Sequence, residues 1–104
     1  MFTRNIPGLP CLTIHRDGVI SQGNMSIVLT VSEFKLFDLL CEHFPTPLTS
    51  DDLIPEMYIG AHEPDGAYNN IRTFAWKARV KLKSLGINIR CRWGRGYRLE
   101  AWTK

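Results

Sequence analysis

Several things are scarce in this chain, and each scarcity closes off a class of protein. The 104 residues include only three cysteines, Cys11, Cys41 and Cys91, with no close pair among them. That excludes a disulfide framework and a CxxC metal site. Cys41 and His43 are two apart on a predicted helix, so they point to different faces, and core packing explains Cys41 better than zinc. No apolar run approaches the roughly 18 residues a membrane span needs. The N-terminal stretch "MFTRNIPGLPCL" has no apolar h-region, so the protein reads as intracellular and the Asn24-Met25-Ser26 sequon carries no consequence. There is no nucleophile elbow, no glycine-rich phosphate loop leading into a helix, and no cluster of metal ligands. His15, His43 and His62 are scattered. An enzyme, a cofactor and a metal are therefore not expected.

Negative charge is scarce in one place only. Residues 1–70 carry three basic residues (Arg4, Arg16, Lys35) and nine acidic ones, a net −6. Residues 71–104 carry ten basic residues and a single acid, Glu100, a net +9. A surface mixed only for solubility does not divide this way. A basic C-terminal third points to a polyanion, with nucleic acid first. A membrane surface is a weaker option, because no basic amphipathic helix has an apolar face free of core duty.

What is present is enough for one core: 44% of residues are apolar and 22% are charged. Residues 11–29 are β-rich, with turn signals at Asp17-Gly18 and Gly23-Asn24, and read as about three antiparallel strands. Asp17-Gly18 is the signature of a two-residue hairpin turn. The period then changes. In "TVSEFKLFDLLCEHF", Phe34, Phe37, Leu40, Cys41 and Phe44 recur at helical spacing, with Leu36 and Leu39 widening the stripe. Thr30 and Glu33 form a capping box, and Pro45 and Pro47 end the helix. Thr49, Asp51 and Asp52 open a second helix that Pro55 keeps short.

A third helix is predicted from about Ala67 to Leu85, with Gly86 as its left-handed cap. Its core stripe is Ile71, Ala75, Ala78, Leu82 and Leu85, flanked by Phe74. The opposite face gathers Arg72, Thr73, Trp76, Lys77, Val80 and Lys83. The chain closes with "INIRCRWGRGYRLEAW", an alternating strand, a glycine-rich turn and a returning strand. Strand alternation puts Ile87, Ile89, Cys91 and Trp93 on one side and Asn88, Arg90 and Arg92 on the other. Trp93 is expected to face inward, and Tyr97 and Leu99 to pin the returning strand.

The order is strands, three helices and a hairpin in one α+β domain, 1–104, with its core over about 11–102. Two small helices followed by a long basic one is helix-turn-helix grammar. A major groove about 12 Å wide admits one helix with such a face. Arg72 and Lys77 can reach guanine edges or phosphates, and Thr73 a base edge or a thymine methyl. Trp76 and Val80 suit methyl or sugar contact. Two alternatives stay open. One is a protein-interaction module using Trp76, Val80 and Trp102 as an apolar patch. The other is a DNA-binding protein without sequence preference. RNA fits less well, since helix-in-groove readout suits duplex DNA.

Taken together, "IVLTVSEFKLFDLL", "KARVKL" and "WGRGYRL" resemble the OmpR/PhoB-type winged-helix DNA-binding domain, the output domain of many bacterial response regulators. The resemblance spans about residues 11–102. It implies an N-terminal antiparallel sheet, three helices and a C-terminal hairpin wing. It also implies sequence-specific binding of double-stranded DNA, with the third helix in the major groove and the wing, about 88–99, at the minor groove. Carried over by position, Arg72, Thr73, Trp76, Lys77 and Arg79 fall on the DNA side of the helix, and Arg92 and Arg95 on the wing. With Val80, Lys83 and Arg90 they complete the expected DNA-binding set. The resemblance further implies that the loop here spanning Ile59 to Asn70 touches RNA polymerase, that a homodimer forms on DNA, and that the protein is cytoplasmic and nucleoid-associated. Three departures stand out. Trp93 replaces the arginine that usually precedes the wing glycine, "FAWKAR" replaces "HIRRLR", and Asn69 stands where an arginine often opens the helix. These 104 residues also leave no room for a receiver domain, so the sequence reads either as a stand-alone regulator, which the initial Met favours, or as a fragment.

Overall fold

A computed structural model describes residues 2–102. Its first third is built as short strands, because apolar and polar residues alternate there between frequent turn-formers. β1 (Phe2–Arg4), β2 (Leu12–Ile14), β3 (Val19–Gln22) and β4 (Met25–Val28) form a four-stranded antiparallel sheet in sequence order. Leu12, Ile14 and Ile20 face the core and are nearly inaccessible. β1, and the buried Ile6 after it, precede the stretch that reads as β-rich. A three-residue strand followed closely by Pro7-Gly8 carries too little pattern to announce itself.

Both turns form, one of them differently from expectation. Gln22 pairs with Met25, so Gly23-Asn24 is a two-residue turn. The β2–β3 turn is longer than the two residues Asp17-Gly18 suggest. The His15 amide donates to the Val19 carbonyl at 2.8 Å, leaving Arg16, Asp17 and Gly18 between them. Asp17 and Gly18 do both adopt positive φ, 60° and 78°. Gly18 has a second constraint, since a Cβ there would lie 2.2 Å from the Leu29 carbonyl oxygen.

α1 (Val31–His43) starts at Thr30. The Thr30 hydroxyl accepts from the Glu33 amide at 3.3 Å, and the Glu33 carboxylate accepts from the Thr30 amide at 3.1 Å. Leu36, Phe37, Leu40 and Cys41 form its buried stripe, with Phe34, Leu39 and Phe44 half-buried beside it. α2 (Ser50–Met57) repeats the device with Thr49 and Asp52, and is eight residues long with Pro55 inside it. α3 (Ala67–Leu82) runs into a single 3-10 turn, Lys83–Leu85, which ends at Gly86 with φ 79°. The connection between α2 and α3 therefore closes at Gly66. Ala67 to Asn70, the end of the segment associated above with polymerase, are the first turn of the helix.

The expected stripe on α3 is confirmed: Ile71, Ala75, Ala78, Leu82 and Leu85 are all buried. The small Ala75 and Ala78 let α3 lie close on its neighbours. β5 (Ile87–Arg92) and β6 (Gly96–Ala101) pair from Ile87↔Ala101 to Arg92↔Gly96. Ile87, Ile89, Tyr97 and Leu99 join the same core. Leu48 adds one bridge to Tyr97, with reciprocal backbone bonds of 2.9 and 2.7 Å.

The inward placement of Trp93 is corrected. Cys91 is exposed, and Trp93 is 100% exposed. Alternation still puts Cys91 on the side of Ile89, but the core has ended by then and that side opens onto a groove. Trp93 lies beyond the last strand residue, inside a turn closed by the Arg95 amide on the Arg92 carbonyl at 3.0 Å. Strand parity does not extend into a turn.

Candidate nucleic-acid interface

α3 is fixed on one flank and open on the other. On the fixed flank Lys81 donates to Glu33 of α1 at 2.6 Å. Glu33 is only 2% exposed and Lys81 is half-buried, so the bond joins the start of α1 to the end of α3 at the edge of the core. Burial pushes the Glu33 carboxyl up, but the Lys81 ammonium and the Thr30 cap outweigh it and leave it below the usual glutamate value. The sequence showed Glu33 as a cap and gave no sign of this second role.

On the open flank, Arg72, Thr73, Trp76, Lys77, Arg79 and Val80 are all exposed. Trp76 and Val80 are 64% and 56% exposed, which is high for such side chains in the middle of a long helix. Between α3 and the hairpin runs a groove of about 580 Å³. Asn69, Arg72, Trp76 and Arg79 form its helix side, and Cys91 and Tyr97 its hairpin side. Burial raises the Tyr97 phenol above its ordinary value, and the Cys91 thiol adds to the shift. The phenol therefore stays protonated, and the groove's charge comes from its cations.

The hairpin carries a second basic surface. Arg90, Arg92, Arg95 and Arg98 surround a hollow of about 200 Å³ with Pro47 and Gly96. Arg90 and Arg98 stand directly opposite each other across the strands. Gly96 is needed where it is, with φ 101° and the Leu48 carbonyl oxygen 2.2 Å from where a Cβ would sit.

The ten predicted residues are thus brought to one side of α3 and to the hairpin, but not all are equally available. The Arg90 guanidinium reaches Glu100 at 3.4 Å. The Lys83 ammonium lies 4.8 Å from the centre of the Trp102 ring, in the 3-10 turn beyond α3. Trp102 itself is half-buried, unlike the exposed Trp76 and Val80. Arg72, Lys77, Arg79, Arg92 and Arg95 have no ion pair among the described residues. Neither has Arg98, which the predicted set omits. Hairpin parity was the available signal, since Arg98 shares a face with Arg90 and Arg92. Asn69, at the groove's far end, was legible only as a departure from the family pattern. No group of metal-ligating side chains is found among the described residues, nor any helix long and apolar enough to cross a membrane.

The family profile described as "Transcriptional regulatory protein, C terminal" matches residues 23–99. No curated protein sequence matches the chain. Among solved structures, the C-terminal domain of the nisin resistance regulator NsrR, a lantibiotic response regulator, is similar at 21% identity and a TM-score of 0.77. The match covers 96% of this chain and 99% of that one. The AdeR response-regulator DNA-binding domain, solved in complex with an intercistronic region, matches at 20% identity and TM-score 0.67, over 95% and 99% of the two chains. A C128D mutant of RitR matches at 22% identity and TM-score 0.72, over 95% of this chain and 43% of that one. At these identities the neighbours establish the winged-helix fold, and the profile establishes the lineage. The chain belongs to the C-terminal transcriptional regulatory family, the OmpR/PhoB-type winged-helix DNA-binding domains.

Proposed function

We propose that this domain regulates transcription by binding particular duplex DNA sequences, with α3 in the major groove and the β5–β6 hairpin at the adjacent minor groove. The observation that carries this is the open flank of α3. It presents Arg72, Thr73, Trp76 and Lys77 to solvent beside a hairpin edged with unpaired arginines. Arg72, Thr73 and Lys77 are the base readers. Trp76 and Val80 contact thymine methyls or sugars, and Arg79, Arg92 and Arg95 hold phosphates. Lys83 and Arg90 add charge at a distance, because each already has a partner in the protein. Polymerase contact through the 59–70 segment, a homodimer on DNA and residence in the bacterial cytoplasm belong to the same reading and rest on the family alone. The AdeR domain's solution with an intercistronic region supports duplex DNA as the partner class.

The test is in vitro selection of bound duplexes, followed by salt titration of a selected and a random duplex. Binding should fall steeply with salt for both, and the selected site should bind at least about a thousandfold tighter. Lys77→Ala or Arg72→Ala should cost about 1–3 kcal/mol on the selected site and relax its base preference. Arg95→Ala should weaken all duplexes alike. Equal loss on every sequence from all three would count against base readout by α3.

A second reading, a protein-binding module, draws on the exposure of Trp76 and Val80. It predicts salt-insensitive association and no duplex binding at low salt.

A further inference from the structure

We propose that Trp93 is an apolar wedge. The hairpin tip enters the minor groove, and the indole inserts at a base step, parting it and bending the duplex. This rests on the DNA-binding reading above and adds to it an activity, DNA bending, and the residue that produces it.

Trp93 is fully exposed at the turn of the hairpin. Single exposed apolar side chains are ordinary on a protein surface, but this one has no structural reason to be an indole. The turn is closed by backbone, from the Arg95 amide to the Arg92 carbonyl. Space beside it is open, since nothing lies within 4 Å of a Cβ built on Gly94. Any small polar residue would complete the same turn and leave less apolar surface in water.

The surroundings specify the partner. Arg90, Arg92, Arg95 and Arg98 crowd around the hollow just behind the tip. Like charges directly opposite across two strands destabilise a hairpin, and Arg90 and Arg98 are such a pair. Of these arginines Glu100 pairs with Arg90 alone, and it also accepts from Asn88. A bound anion would relieve the remaining repulsion. A π surface projecting beyond a ring of cations suits a partner that is anionic outside and offers flat π faces within, and a nucleic-acid groove is both. The groove between α3 and the hairpin is continuous from Arg72 to Tyr97, so a duplex lying on α3 also passes the hairpin. With α3 occupying the major groove, the tip meets the minor groove, the side from which apolar wedges open base steps.

The test compares the intact chain with Trp93→Ala, Trp93→Phe and Arg98→Ala on a selected duplex carrying a fluorophore at each end. Because the side chain touches nothing buried, Trp93→Ala should fold with an unchanged melting curve. It should bind roughly tenfold to a hundredfold more weakly, the range for one lost base-stacking contact. Its dependence on log salt should be unchanged, because an indole neutralises no phosphate. Energy transfer should report a bend with the intact chain and none with Trp93→Ala, and Trp93→Phe should restore part of it. Arg98→Ala should do the reverse, reducing the salt slope by about 1 while keeping the bend. A flexible pyrimidine–purine step at the wing position should be favoured by the intact chain and not by Trp93→Ala.

Unchanged affinity and bend in Trp93→Ala would overturn the wedge, as would loss of self-association with DNA binding intact. Trp93-dependent binding to anionic phosphatidylserine vesicles without duplex binding would overturn it in favour of a membrane contact. Failure of the intact chain to bind any duplex would instead remove the DNA-binding reading itself.

Discussion

The two ends of the β5–β6 hairpin are made from one alternating sequence and have opposite lives. At the base, Ile87, Ile89 and Leu99 are nearly inaccessible and packed against α1 and α3. At the tip, Cys91, Arg92, Trp93 and Arg95 are exposed, and nothing from the body of the protein covers them. Alternation alone cannot say where the change falls, because it continues unbroken to Arg92. The underlying layer decides: along β5 it ends after Ile89, and along β6 it reaches Tyr97. Stability therefore belongs to the base and recognition to the tip, and each can be damaged without the other.

The largest effects should come from the base. Leu99→Ala removes a fully buried side chain and should cost about 2–5 kcal/mol of unfolding free energy. That is a large share of the roughly 5–15 kcal/mol available to a small domain. Gly96→Ala, at the last strand pair before the turn, should approach it, because there the Leu48 carbonyl holds the hairpin and would overlap a Cβ at a positive φ. Urea unfolding followed by circular dichroism measures both. DNA binding should fall only to the extent that the protein unfolds. A folded Leu99→Ala protein with specifically lost DNA binding would break the division between base and tip.

The next effect tests the other anchor of α3. Glu33 is held below the ordinary glutamate value, mainly against burial, by Lys81 and Thr30. A lowered folded value means the ionised carboxylate stabilises the fold at neutral pH. The contribution is complete above about pH 4.5 and is lost as pH falls through the lower folded value. Lys81→Met should cost about 1.5–3 kcal/mol at neutral pH, as expected for a lost bond to a charged group. It should also move acid unfolding to higher pH. An unchanged acid limb would mean that Thr30 alone holds the carboxylate.

This contrast also explains what was legible in the sequence. The Thr30–Glu33 capping box, the Thr49 cap, the α3 stripe and the Gly86 cap were readable because each is a local rule at fixed spacing. The exposed flank of α3 followed from the same periodicity. β1 was not, because three residues carry no period. Neither was the Glu33–Lys81 bond, whose partners lie 48 residues apart. Trp93 was misplaced because strand parity was carried into a turn, whereas Cys91 keeps its side but faces a groove. The basic face of the hairpin was read from charge, yet Arg98 was passed over because parity was followed along the first strand and not carried across the turn to its place opposite Arg90.

The smallest effect is chemical, and it locates the boundary between base and tip. Burial pushes the Cys41 thiol up to about 12, so it carries almost no thiolate at neutral pH. Cys11 and Cys91 are exposed. A thiol reagent should label these two in the folded protein and reach Cys41 only on unfolding. Cys91 lines the groove beneath α3, whereas Cys11 precedes β2 on the N-terminal sheet. A selected duplex should therefore slow labelling of Cys91 and leave Cys11 unchanged. Slowing at both sites would mean that the duplex, or a second copy of the chain, also covers the sheet. Slowing at neither would place the bound DNA away from the groove, and recognition would then have to be sought at the turn beyond it.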